Sequence, residues 1–471
     1  MPSRKDTVMN TVITDKKAAA EYVAEIDRKA EELKNIIIMA HDTVRPVGTK
    51  YYVSENGDDA NDGISPETPV KTFDGVAKLP LVSGDAVLFK RGETFRGCLT
   101  AKTGITYSAY GEGKKPLLTN SLRNYADPAI WEETDAPNVY KLTIPLTNDA
   151  GIAVFDDTLW SEKRIKGRPE FPEGKLSDLD CDLAMWHDVP LPMKETGYVY
   201  LRSDKGNPGE RFKSIEIGTR MNIVRIPGVN DVIFDNLCFK YGGAHGIGTG
   251  HIMGLTVQYC EFGFIGGSWF RTDILSRYGN AIEIYGGARD YKVRYNYIYQ
   301  IYDAGITHQY KNGPDAVVMA DIEYSHNLVE DTSYSIEYFL TEAVDVEIKP
   351  ERYMKDISMH DNILRRCGMG FGDQRPDKSR AAHIKGWHHT NKAWNYSIRD
   401  NIFCGSKYML LHVGDENDAW LPEMSGNTYV QEGGKSFGIF GMDEVVHLVD
   451  GNIGKLLDET VHEKDGVMVV L

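Results

Sequence analysis

Positive charge is the minority here: 53 Lys and Arg stand against 69 Asp and Glu, for a formal net charge of −16. Binding to nucleic acid needs clustered cations facing phosphates, so that class is excluded, and an anionic membrane surface with it. Cysteine is scarce too, with six in 471 residues: Cys98, Cys181, Cys238, Cys260, Cys367 and Cys404. No pair has zinc-knuckle spacing, and flanks such as NLCFKY and QYCEFG read as strands. The expectation is buried, reduced thiols, with no metal site and no cofactor. No apolar run approaches the length of a membrane-spanning helix, and the stretch after Met1 has no apolar core of secretory length. Together these imply a cytoplasmic protein. Homo-oligomerisation is left open.

What is abundant is turn and strand chemistry, with 46 Gly and 26 Tyr. One helix is expected over residues 15–41, where apolar residues recur at three- and four-residue steps behind Asp15 as N-cap. From about residue 230 one phrase returns: VIFDNLCF, LTVQYCEF, YKVRYNYI, IEYSHNLV, ISMHDNIL, YSIRDNIF, EMSGNTYV. Aligning them puts Asn236, Cys260, Asn296, Asn327, Asn362, Asn401 and Asn427 in one column, at steps of 24, 36, 31, 35, 39 and 26 residues. Short strands at such periods, with variable insertions, describe a solenoid. A fixed Asn at a corner fits a parallel β-helix, where its amide can bond the turn and the neighbouring coil.

The stretch YYVSENGDDANDGISPETPVKTFDGVAKL, leading into SGDAVLFKRGETFRG, resembles the opening segment of right-handed parallel β-helix proteins of the pectate-lyase-like superfamily. The resemblance covers roughly residues 50–118 and 215–430. It implies an all-β fold: a helical cap over 1–45, the β-helix over 46–435 and a C-terminal cap over 436–471. Residues 119–215 break the rhythm and are expected to be a β-rich flap beside a cleft, as in the glycoside-hydrolase branch of these proteins.

Successive coils of a β-helix present their side chains in rows about 4.8 Å apart, so groups on neighbouring coils can work as catalytic pairs. The strands after each corner align as HGIGTG, NAIEIYGG, AGITHQY, YSIEYFLTE, MGFGDQRP and YMLLHVGD. This alignment gathers Glu283, His308, Glu337, Tyr338, Asp373 and His412 on one patch. Glu337 and Asp373 fall on adjacent coils, which predicts carboxyls about 5–7 Å apart, the arrangement of a retaining glycosidase. Crowding would also drive their proton affinities apart. Similarity to β-helical xylosidases points to the same pair, with the acid types exchanged. Asp303 and Glu283 are read as supporting groups, Asp303 orienting His308 or binding a sugar hydroxyl. The loop from Gln374 to Asn395 carries five Lys and Arg against one acid. Placed beside the acids it reads as a cleft wall, with Gln374 and Arg375 gripping hydroxyls or a carboxylate and Trp387 stacking on a sugar face.

The expected function is a retaining glycoside hydrolase acting on plant- or microbe-derived oligosaccharides or polysaccharides. A lyase or epimerase acting on uronate-containing glycans is the alternative. It would need a Lys, Arg, His or Tyr base and a cation facing the carboxylate.

Overall fold

The computed structural model describes residues 10–189, 195–271, 276–389, 392–415, 420–441 and 445–471; the side chains of 271, 387–389 and 415 lie outside the described part. Ten parallel strands form one sheet, from Lys50–Val53 through Ile252–Gln258, Ala288–Arg294, Val317–Ser325, Arg352–His360 and Lys392–Arg399 to Glu423–Ser425. The chain then turns a corner and enters a second, nineteen-stranded sheet before returning one coil further on. This is a parallel β-helix. Its inward column is Ile247, Ile282, Ile306, Ile336, Ile384 and Leu411, each paired with the next and at most 1% exposed. β-branched side chains repeat there because each coil buries the same strand position against its neighbour.

The corner explains the repeated phrase. Tyr259, Tyr295, His326, Asp361, Asp400 and Gly426 all adopt left-handed backbone, with φ between 50° and 66°. The next residue in each coil is Cys260, Asn296, Asn327, Asn362, Asn401 or Asn427. From Asn296 on, each backbone N–H donates to the following asparagine's Oδ1 at 3.0 Å, and each Nδ2 donates to the same oxygen at 2.9–3.2 Å. The spare amide proton meets a backbone carbonyl of the preceding coil, as from Asn296 to Val257 O. Glu463 ends the ladder by accepting from Asn427. Asn236 stands one position out of the column: Asp235 pairs with Gln258, so Asn236 takes the left-handed corner place and Leu237 aligns with Cys260.

The expected helix forms as α1 (Lys16–Ile38), with Asp15 accepting from Ala18 N at 2.9 Å. It runs along the flank of the coils and does not sit over an end. Ala19 and Ile26 pack on Val430 and Val469, and Ala30 and Ile37 pack on Tyr297, Leu328 and Ile363. The strand Thr11–Ile13 before it pairs with the final strand, Val467–Val470, and so covers that edge. At the C-terminal end Ile453, Leu457 and Val461 close the main core.

Residues 119–215 form the expected β-rich insertion. A five-stranded sheet and a three-stranded sheet enclose cores of their own, one built on Trp131, Leu142, Phe155, Leu201 and Ile217. The insertion is pinned to the coils by Ile152 and Val154 against Tyr241, Phe264, Tyr302 and Phe371. A buried Asp149–Lys163 ion pair at 2.5 Å adds to this, its carboxylate also accepting from Trp269 N.

Candidate active site

The outward column beside the inward isoleucines runs Gly248, Glu283, Thr307, Glu337, Lys385, His412. The residue facing Glu337 on the next coil is therefore Lys385, not an acid. The sequence alignment puts MGFGDQRP in this strand, but the chain does not run there. Gly368 and Gly370 take φ of 73° and 67°, so the chain leaves the sheet there, forms a tight 3-10 turn over Gly370–Gln374 and returns only at Ala382–His389. Most of the expected loop is thus two coil strands, Ala382–His389 and Lys392–Arg399.

The correction moves Asp373 out of the acid pair. It lies on the turn, with Lys407 at 2.8 Å and Lys378 at 3.4 Å, and it accepts from the Tyr408 hydroxyl. Partial burial would raise its proton affinity, but the lysines more than offset this and hold it below the usual carboxylate range. His308 and Tyr338 also depart from expectation. They follow outward residues by one place, so the two-residue strand period turns them into the core, where both are fully buried. His308 stacks on Tyr338 at 5.6 Å and meets the Tyr324 hydroxyl at 2.9 Å through Nδ1. Gln374 ties the turn to the insertion, donating to Ser161 O at 2.9 Å. The Trp387 side chain lies outside the described residues.

Glu337 remains, partly accessible, and its surroundings are unusual. Burial, then the nearby charge of Asp303, pushes its carboxyl up to about 8, against the pull of Lys385 and Arg375. Asp303 sits at an irregularity between Ile301 and Ala304, in a strand that spans two separate strands of the preceding coil. Burial raises its proton affinity as well, while Arg375 at 2.5 Å opposes that shift. Arg375 is held by Asp377 at 3.0 Å and lies over the rings of Tyr302 and Tyr334. Burial lowers Lys385 to about 8 despite Glu337, and its Nζ stands 2.7 Å from His412 Nδ1. Glu283 accepts from Asn280, Thr307 and Gln309, which fixes it as a buried support for the column.

The structure thus assembles Asp303, Glu337, Arg375, Lys385 and His412; it turns His308 and Tyr338 into the core and leaves Asp373 and Gln374 on the turn that lines the adjoining cleft with Arg375. Lys385 and Asp377 are the additions. The signal for Lys385 was present: AHIKGW repeats the pattern of SIEYF, with Ile384 matching Ile336. A cleft of about 590 Å³ opens between insertion and coils, lined by Trp160, Lys163, Arg277, Tyr302, Gln374 and Arg375 among others. Arg375 lines it and pairs with Asp303, so it joins the cleft to the acids.

No family model matches the chain, and no curated protein does. Among solved structures, one called "Glycoside hydrolase" is 10% identical over 90% of this chain and 96% of its own, with a TM-score of 0.47. A complex of XylC with xylose is 12% identical over 84% and 76%, with a TM-score of 0.40. Pectate lyase Pel9A is 12% identical over 83% and 69%, with a TM-score of 0.41. At that distance these likenesses carry no argument about the reaction. Among the described residues no helix is long and apolar enough to cross a membrane.

Proposed function

We propose that this protein is a carbohydrate-active enzyme, a glycoside hydrolase in which Glu337 donates the proton and Asp303 is the nucleophile. The observation that carries the reading is the difference in partners within one acidic pair, both members of which burial raises. Glu337, pushed up to about 8, keeps its proton at neutral pH, while Asp303 has a guanidinium at 2.5 Å that favours its charged form. One carboxyl paired with a guanidinium and one raised by burial is the asymmetry that nucleophile and acid require. Glu337 would protonate the leaving glycosidic oxygen as Asp303 attacks the anomeric carbon. Glu337, now ionised, would then take a proton from the water that releases the sugar. An oligosaccharide entering between insertion and coils would meet Trp160 and Tyr302, whose ring faces suit sugar stacking.

One observation favours a second reading. Lys385, lowered to about 8, could act as the base of a β-elimination on a uronate, with Arg375 neutralising the sugar carboxylate. A panel of nitrophenyl glycosides and uronate polymers separates the two. Hydrolysis releases saturated sugars with retained anomeric configuration by NMR, and elimination gives an ultraviolet-absorbing unsaturated product. Turnover that survives both Glu337→Gln and Asp303→Asn would overturn the hydrolase reading.

A further inference from the structure

His326, His360 and Asp361 meet where the ten-stranded sheet turns its corner. Ser325 pairs with His360, so His326 and Asp361 hold the same corner place on successive coils, both at φ 55°. That register stacks them one inter-strand spacing apart, about 4.8 Å. His360, one residue before Asp361, adds a second imidazole, and one ligand atom from each of the three lies within 4.8 Å of the others. The His326 ring is fixed flat on Tyr295 at 4.6 Å and meets His360 edge-on at 5.9 Å. Its Nδ1 is buried and has no hydrogen-bond partner among the described residues. Asp361 Oδ2 lies 2.7 Å from His360 Nδ1, and Glu323 stands 3.7 Å from His360 Nε2. His360 and Glu323 also line a groove of about 670 Å³ where Asp290, Asp321 and Asp356 outnumber Lys292 and Arg399.

We propose that His326, His360 and Asp361 bind a divalent transition-metal ion of the zinc type, clipping two adjacent coils together. This replaces the expectation, drawn from cysteine spacing, that the chain has no metal site. The ligands come together through coil stacking, which linear spacing does not show. Two imidazoles and a carboxylate suit zinc, cobalt or nickel, whereas calcium and magnesium prefer all-oxygen cages. A tetrahedral zinc with bonds of about 2.0–2.2 Å holds its ligands roughly 3.5 Å apart. The ligand atoms, all within 4.8 Å of one another, reach that spacing by small rotations of the His360 and exposed Asp361 side chains. A fourth position is left for water or for Glu323. The inference is independent of the reaction proposed above.

The test uses the full-length protein stripped with chelator, titrated with zinc chloride by calorimetry and with cobalt chloride by visible absorption. Wild type should bind one more equivalent of zinc than His326→Ala or His360→Ala, because histidines elsewhere give the same background in all three. Zinc should raise the Tm of wild type only, and cobalt should give the intense visible bands of a four-coordinate site. Asp361→Asn, at an exposed position, covers the case where a histidine variant folds poorly, and should weaken zinc binding at least tenfold. Equal stoichiometry in wild type and both histidine variants, or equal zinc affinity in wild type and Asp361→Asn with no zinc-dependent difference in Tm, would overturn the site.

Discussion

The asparagine corner and the Glu337 face are both rows of polar groups stacked on successive coils, yet they differ in kind. Along the corner, like meets like: each amide donates to the next, spare protons find carbonyls, and Glu463 closes the row. On the other face unlike groups meet: glutamate, threonine, glutamate, lysine and histidine follow one another, and proton affinities shift where Glu337 abuts Lys385. A satisfied neutral row rigidifies the fold, whereas a row of mismatched charges stores reactivity. The comparison separates a scaffold from a site within one repeat.

The sharpest way to break it is Glu337→Gln. Turnover should fall by roughly 10²–10⁴-fold, the usual worth of a positioned general acid, while circular dichroism stays that of wild type. The mirror experiment is Asn327→Ala. It strands the Asn296 backbone N–H and takes the side-chain donor from Val293 O, costing about 1–3 kcal/mol for each unsatisfied group in denaturant unfolding. Turnover per folded molecule should be unchanged. If the variant were inactive but stable, the corner would not be merely scaffold.

The pH dependence sharpens the comparison further. A general acid at about 8 predicts activity that falls as pH rises through that value. Lys385→Met removes a charge that pulls Glu337 down, so the alkaline limb should move to higher pH if Glu337 is the acid. If Lys385 is a lyase base, activity should vanish instead. Stability carries the same signature. Because folding raises the Glu337 carboxyl above its unfolded value, its contribution is fully present below about pH 4.5 and is lost as pH rises through about 8. The stability of Glu337→Gln relative to wild type should therefore improve over that window.

The smallest effect is expected at Asp373. Its ion pairs with Lys407 and Lys378 are partly exposed and worth about 0–1 kcal/mol. Asp373→Asn should change turnover by only a few-fold and Tm hardly at all. A loss as large as that of Glu337→Gln would restore Asp373 to the catalytic pair.

By itself the sequence determined the coil. An asparagine at a fixed corner and isoleucines at a fixed strand position are requirements every coil repeats, so four of the six inward-column residues, Ile247, Ile282, Ile306 and Ile336, could be read by alignment, while Phe371 was read in the place that Ile384 holds. The helix behind Asp15 and the insertion at 119–215 were legible for the same reason: each is local pattern or its interruption. Only the tertiary structure decided which residue stands against Glu337. Two left-handed glycines at 368 and 370 carry the chain out of the sheet, and the excursion replaces Asp373 by Lys385 without disturbing the composition of either segment. Depth, by contrast, followed from the pattern once Ile306 and Ile336 faced inward. His308 and Tyr338 belong to the core because a strand alternates faces at every residue, and a shift of one place exchanges inside for outside. Proton affinity came last of all, since what lifts Glu337 to about 8 is its burial beside Asp303, a neighbour 34 residues away that only the winding of the coil brings close.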